Sequence, residues 1–333
     1  MVGFTSDRIE SLFKRFAGKR VAVIGDLMLD RYFWGSITRI SPEAPVPVVE
    51  VASESTRLGG AANVANNIAS LGGIPVMVGV IGQDNAGALL RNTIQEAGFP
   101  TDGLVTDSQR PTTIKTRVIA HHQHVVRIDQ ESKNDIDGNV RSQLVDIVSR
   151  SIKSLDAIVL EDYNKGVISR ELIHEVISLA RQNGTVVTVD PKFNNFFEYQ
   201  NVTVFKPNRK ESEEALGRRL TDVQEVEAAG RDILDRLKAE NVLLTLGEQG
   251  MSLFEKSGAV THVSTQAMHV SDVSGAGDTV ISTLTMALVS GATIREASSL
   301  ANYAGGVVCG EVGIVPIQKE ALAHAVMNNH RQR

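Results

Sequence analysis

Asp272 and Asp278 stand six residues apart in "VSDVSGAGDTV" (270–280), with Gly275, Ala276 and Gly277 between them and Thr279 and an apolar, helix-like run after them. A helix N-terminus exposes unpaired N–H groups and a partial positive charge. Glycine and alanine let an anion approach those groups unobstructed. "SGAGD" therefore reads as an anion cradle with a carboxylate at its edge. A carboxylate beside an anion site is self-defeating unless it has a task of its own, and phosphoryl transfer supplies one. The migrating group needs N–H donors around its developing charge, and the attacking hydroxyl needs a group that orients it and accepts its proton. On the motif alone, a plain helix cap explains the same residues equally well.

Other phosphate signatures are missing. There is no G-x-x-x-x-G-K-[ST], the first apolar run enters "GDLMLD" rather than G-x-G-x-x-G, and neither H-R-D nor D-F-G occurs. The net charge of −5 argues against a nucleic-acid partner. Cys309 is the single cysteine, which excludes an internal disulfide and a thiolate metal cluster; in "GGVVCG" it reads as a small buried apolar residue. The N-terminal "MVGFTSDRIESLFKRF" lacks a signal-type apolar core, and no apolar run is long enough to cross a bilayer. The expected location is the cytoplasm, with no membrane partner.

The elements that must hold the loop show as an alternation. Ser6 or Asp7 caps a first helix that Gly18 ends. "RVAVIGD" (20–26) and "VMVGVIG" (76–82) read as buried parallel strands, with a small-residue helix, "GGAANVANNIASLGG" (59–73), between them. "NAGALLRNTIQEAG" is the next helix. Further strands are expected at 156–162, 185–191, 201–208 and 241–247, and helices at 138–151, 169–182, 209–215, 222–239, 276–290, 293–309 and 317–328. With 333 residues, 42% of them hydrophobic, this predicts one α/β domain over 1–333. Its sheet is mostly parallel, with helices on both faces and right-handed crossovers. Ligands then bind beyond the carboxyl ends of the strands, where Asp26, Asp162, Asp190, Asn208 and Gly247 stand.

Two stretches break the rhythm. Residues 31–52 hold three prolines, aromatics and alternating β-branched residues, and 112–130 alternate like a hairpin. Together they predict a small β lid standing off the main sheet. Exposed apolar edges such as "VPVVEV" often find a partner chain, so a homodimer through the lid is expected. In "AHHQHVVR", His122 and His124 share a strand face and His121 takes the other. Two imidazoles without a neighbouring carboxylate or thiol make a poor zinc site, so these are read as solvent-facing.

At this point a family resemblance is carried by specific residues. "DVSGAGDT" (272–279) and "GGAANVANNIASLG" (59–72) are similar to the two signatures of the ribokinase-like (PfkB) carbohydrate kinases. "NRKE" (208–211) matches that family's N-x-x-E motif and "TLGEQG" (245–250) its nucleotide-binding turn. Within the family, "GDLMLDRYFWGSITRISPEAPVPVVEV" (25–51), "EDYNKG" (161–166) and "VDPK" (189–192) resemble the branch that phosphorylates a heptose 7-phosphate. No H-x-G-H of the nucleotidyltransferase type follows, so a stand-alone kinase is implied.

The resemblance implies a set of roles. Asp278 would be the general base, and the amides of Gly275, Ala276 and Gly277 the anion hole. Asn208, Arg209, Lys210 and Glu211 would act near the phosphates of ATP, with Glu211 turned indirectly to Mg²⁺. Thr245, Gly247, Glu248 and Gly250 would line the nucleotide site, with Asn302 near the adenine. Asp30, Gly59, Gly60 and Asn63 would hold sugar hydroxyls, and the anomeric hydroxyl would receive the γ-phosphate. Potassium beside the loop, with Asp272 as neighbour, is a further implication.

Residue chemistry sets its own conditions. The acceptor's distal phosphate needs cations, and Arg31, Arg39, Arg57, Lys115, Arg117, Arg127 and Lys192 sit on the lid or beside strand ends. At least two of them should converge. Taken singly, each also reads as a solvated surface charge, and Asp30 and Asn63 as a strand-end acid and a solvent-facing helix residue. Lys165 in "DYNKG" fits a phosphate ligand or a solvated loop lysine. Two other functions stay open: a kinase for another sugar, sugar phosphate or nucleoside, and a non-catalytic module that binds sugar or nucleotide.

Overall fold

A computed structural model describes residues 3–121, 123–265 and 271–331. His122 and Val270, both singled out above, lie outside the described residues. Helix α1 (Ser6–Phe16) starts at Thr5, whose side chain accepts from the Arg8 amide at 3.2 Å. Its buried residues Ile9, Leu12, Phe13 and Phe16 recur at helical spacing. Strand β1 (Arg20–Gly25) leads into a hairpin of β2 (Leu27–Ile40) and β3 (Pro47–Gly60), then α2 (Ala61–Ser70), β4 (Ile74–Gly82), α3 (Asn85–Glu96) and β5 (Leu104–Asp107). A second hairpin, β6 (Thr113–Ala120) and β7 (Gln123–Gln130), precedes α4 (Gly138–Ser151) and β8 (Ala157–Glu161). After α5 (Arg170–Asn183) come β9 (Val186–Asp190), β10 (Val204–Phe205), α6 (Arg209–Leu216), α7 (Val223–Leu237), β11 (Asn241–Thr245), β12 (Met251–Glu255) and β13 (Val260–Val263). The chain ends in α8 (Ala276–Val289), α9 (Ile294–Val308) and α10 (Lys319–Arg331).

Nine strands form the main sheet in the order β13-β12-β11-β10-β9-β8-β1-β4-β5. All neighbours from β11 to β5 run parallel, while β12 and β13 add antiparallel pairs at one edge. Alternation along the strands feeds two cores. Val21 and Val23 of β1 and Val159 of β8 pack with α1, α2 and α8 to α10, whereas Ala22, Ile24 and Leu160 pack with α4, α5 and α7.

The lid is a separate four-stranded sheet, β3-β2-β6-β7. It is longer than 31–52 suggested, because both strands of its first hairpin run on to the main sheet. Gly59 and Gly60 therefore close β3 instead of opening the helix expected from 59, which begins at Ala61. A Cβ on Gly59 would lie 2.0 Å from Asp30 Oδ2, so only glycine fits that crossing. Three strands, β5, β12 and β13, were not expected, and "NVTVFKPN" supplies only the two-residue β10. Such short segments carry too few residues for a period to show.

Arg8 of α1 clamps α9 through Glu296, Nε–Oε1 and Nη2–Oε2 both at 2.7 Å. Chiefly through the Arg8 hydrogen bond, the Glu296 carboxyl is held down at about 2. A depressed carboxyl contributes stability above its unfolded pKa and loses it as pH falls through the folded one. Glu296→Gln should therefore lower unfolding free energy at pH 7 by about 1 kcal/mol, discounted for solvent screening. In urea titrations the difference from the parent should shrink from pH 5 downward and close near pH 2; a difference independent of pH would exclude the clamp.

Candidate active site

The main sheet delivers acids to one place. Glu161 ends β8 and Asp190 ends β9, and the parallel register sets them side by side. Helix α8 aims its first turn at the same spot, so carboxylate oxygens of Glu161, Asp190 and Asp278 all lie within 4.8 Å of one another. Asp278 is 2% exposed. Lys206, buried just beyond β10, answers the cluster with Nζ 2.8 Å from Asp190 Oδ2.

Burial of this much charge moves the ionisation equilibria. Asp278 is pushed up to about 6, mainly by loss of solvation, against the hydrogen bonds that favour its charged form. Glu161 is driven well above the usual carboxylate range by burial and by the Asp190 and Asp278 charges. Burial acts to lower Lys206, yet Asp190 outweighs it and holds the ammonium charged.

Each oxygen of Asp278 has one donor: Asn63 Nδ2 of α2 reaches Oδ2 at 2.7 Å, and the Tyr163 hydroxyl reaches Oδ1 at 2.7 Å. Gly275 precedes the helix at φ 78°, where a Cβ would press within 3.0 Å of Asn63 Nδ2. The Ala276 amide turns back to the Val273 carbonyl at 3.3 Å, while no hydrogen bond engages the Gly275 and Gly277 amides among the described residues. Two bare amides thus stand directly before a buried carboxylate.

The lid supplies a charged inner wall. Asp30 on β2 is buried and ion-paired with Arg117 on β6. Arg57 and Arg117 lie over the Tyr32 ring at 5.2 and 5.3 Å, and Arg57 donates to the Ile314 carbonyl at 2.7 Å. Most of the cations named from the sequence have partners within the chain. Arg31 pairs with Glu54, Arg39 with Glu50, Arg127 with Asp129 and Lys192 with Glu211. Lys115 is different: half-buried and register-matched to Asp30, it has no ion pair among the described residues and lies 4.9 Å from the Tyr163 ring centre. Burial lowers its pKa, the expected result for a cation short of counter-charge. Arg127 is exposed on edge strand β7 and lies in the lid rather than the acid cluster.

The opposite wall holds the N-x-x-E motif, which is a capping box. Asn208 Oδ1 accepts from the Glu211 amide at 2.9 Å, and Glu211 Oε2 accepts from the Asn208 amide at 2.8 Å. Glu211 also holds Lys192, which the Asp190 and Glu211 charges lift above the ordinary lysine range despite its burial. Arg209 bonds Gln249 in the 247–249 turn, and Thr245 bridges to Asn208 across parallel backbone. Gly247 and Glu248 are exposed at that turn and Gly250 closes it at φ 88°. Asn302 is buried on α9 and donates to the Ser264 carbonyl at 2.7 Å. Lys210 is not brought in: its side chain is 84% exposed, 3.9 Å from Glu214 on the outer face of α6.

Comparison with known proteins gives this arrangement a context. The model of the pfkB family carbohydrate kinases matches residues 19–320. The chain belongs to that family. The pfkB kinases are enzymes, and ATP with a sugar as acceptor is what the family implies. Among curated relatives, the bifunctional protein HldE of Citrifermentans bemidjiense is 43% identical over 318 residues, 96% of this chain and 65% of that protein. HldE of Helicobacter pylori is 40% identical over 312 residues, 94% of this chain and 67% of its own length. This chain thus spans about two thirds of the relatives it matches. Among solved structures, phosphofructokinase-2 from Escherichia coli in complex with potassium superposes with a TM-score of 0.78 at 20% identity, covering 95% of this chain and all of that one. Ribokinase from Arabidopsis thaliana, complexed with ribose and ATP, gives 0.73 at 19%, covering 93% and 99%. At those identities the likeness shows the fold. No helix among the described residues is long and apolar enough to cross a membrane.

Three residues of this site carry no role from the sequence, Glu161, Tyr163 and Lys206, and Asp26 behind them was legible only as a strand-end acid. The signal for Glu161 and Tyr163 lay in "DAIVLED" and "EDYNKG", where consecutive acids end a strand expected to be buried. Two acids at such an end cannot both face water, because successive side chains alternate. Lys206 gave no local signal, since its partner Asp190 is distant in sequence.

Proposed function

We propose that this chain transfers the γ-phosphoryl group of ATP to the anomeric hydroxyl of D-glycero-β-D-manno-heptose 7-phosphate, giving the 1,7-bisphosphate, a step toward ADP-heptose for lipopolysaccharide. What carries the reading is the meeting of the bare Gly275 and Gly277 amides, the buried Asp278 carboxylate and the lid's cationic inner wall. The heptose assignment rests on the 25–51, 161–166 and 189–192 motifs together with the HldE relatives.

In this mechanism Asp278, with Asn63 beside it, orients the acceptor hydroxyl and takes its proton. The amides at the tip of α8 meet the charge developing on the transferred group. A loose transition state asks little basicity of the acid, so a group titrating at about 6 suffices at neutral pH. Asp30, Gly59 and Gly60 line the acceptor side, and Asn208, Arg209, Glu211, Thr245, Gly247, Glu248, Gly250 and Asn302 the nucleotide side. Mg²⁺ fits the chemistry of the donor set: Glu161 Oε2 is buried without a hydrogen-bond partner, beside Asp190. Glu161 and Asp190 would hold the ion, which supplies charge neutralisation to the phosphates. The Glu211 oxygens are taken by Asn208 and Lys192, which supports an indirect part for it. Asp272, whose carboxylate ties Ser274 to Gly313 at 2.9 and 3.0 Å, supports a potassium ion nearby. The exposed Ile40, Val46, Val51, Val126 and Ile128 of the lid support a homodimer formed there.

Lys115 is the cation best placed for the distal phosphate. Lys115→Met should raise KM for the sugar phosphate at least about ten-fold, as loss of a charge-assisted contact does, with KM for ATP within about two-fold. The assay is coupled ADP release with MgATP and a panel of hexose and heptose phosphates. Preference for another acceptor would replace the substrate, and an unmoved KM would remove Lys115 from it.

A further inference from the structure

Tyr163 is only partly buried and belongs to neither hydrophobic core, so core packing does not account for it. The chain nevertheless devotes a clamped loop to it. Buried Asp26 accepts the amides of Tyr163 at 2.7 Å, Lys165 at 3.1 Å and Val167 at 3.2 Å. Asp162 accepts the Asn164 amide at 2.7 Å and the Tyr199 hydroxyl at 2.6 Å, and Asn164 itself sits at φ 55°. A Cβ on Gly166 would meet the Asn134 carbonyl at 1.9 Å, so the loop also lies hard against the backbone on its far side. Two ammonium groups lie over the ring, Lys115 from the lid at 4.9 Å and Lys192 from the nucleotide wall at 5.1 Å. All of this places one hydroxyl 2.7 Å from Asp278 Oδ1.

We infer that Tyr163 is a positioning residue: with Asn63 on the other oxygen, its hydroxyl fixes the plane of the Asp278 carboxylate for the acceptor. The inference rests on the reading of Asp278 as the base. A carboxylate with one donor on each oxygen cannot rotate without breaking both bonds, and each oxygen keeps a second lone pair for the acceptor hydroxyl. A carboxylate held on one side only samples planes that miss the reacting oxygen. The phenol keeps its proton throughout; the acceptor's proton goes to Asp278.

Tyr163→Phe removes the hydroxyl and keeps the ring beside its two cations. With MgATP and whichever sugar phosphate the parent turns over best, kcat should fall about ten-fold while both KM values stay within about two-fold, the scale of one hydrogen bond to a charged group. Added to Asp278→Asn, the same change should cost less than about two-fold more, because the group it orients is already disabled. Wild-type kcat in Tyr163→Phe, or the same ten-fold loss in both backgrounds, would overturn the inference. Early melting of Tyr163→Phe would enter both arms of the cycle equally and cancel. Full turnover by Asp278→Asn would instead sink the base reading itself, so the two failures are distinguishable.

Discussion

Asp278→Asn should lower sugar-dependent turnover by at least ~10²-fold, the scale of a positioned general base, while ATP and acceptor still bind. Asparagine keeps the shape and one acceptor oxygen, so the cavity with Asn63 and Tyr163 survives. What it loses is the capacity to take a proton. The parent enzyme carries a second signature of the same group. Asp278 titrates at about 6, and only its ionised form serves as base, so turnover should fall as pH drops through 6, approaching ten-fold per unit below it. Near-normal turnover by the purified variant, or a rate flat from pH 7.5 to 5, would remove Asp278 from the chemistry.

Lys206→Ala should be the most damaging change to stability near the site. Lys206 is the buried cation of the acid cluster, 2.8 Å from Asp190 and also lowering Asp278 through its charge. Removing one partner of a buried pair leaves the other uncompensated and costs about 3–5 kcal/mol. Urea denaturation at pH 7 measures it. Lys206→Met restores the packing but not the charge, so it should recover little. If Met recovers the stability fully, the cation is there for its volume rather than its charge. Either variant that stays folded should also shift the acid limb of turnover upward, since Asp278 loses a neighbour that favours its charged form.

Both predictions depend on how local and distant information divide in this chain. The alternation of strand and helix was legible, because residues that face a core repeat at periods of about 2 and 3.6 over lengths that allow counting. Helix α8 and its glycine-rich entry were legible for a related reason: a left-handed Gly275 before an acid is a local backbone demand that the sequence must meet locally. The lid was recognisable as β structure out of register with the rhythm. Its reach to the main sheet was not, since Gly59 and Gly60 look like a helix start until Asp30 is seen against them.

The sequence by itself determined the α/β architecture, the glycine-rich entry of α8, the base candidate Asp278 and the family to which the chain belongs. Tertiary structure alone decided which charges are spent on one another and which are not. Arg117 is bound to Asp30, Lys192 to Glu211 and Lys206 to Asp190, while Lys210 faces solvent and Lys115 waits beside Tyr163. The physical reason is distance. Coulomb and hydrogen-bond energies act over a few ångströms of space, and Asp278 meets Asn63 and Tyr163 across 215 and 115 positions of chain. No spacing rule along the sequence records such a meeting; the sheet register and the tip of α8 create it.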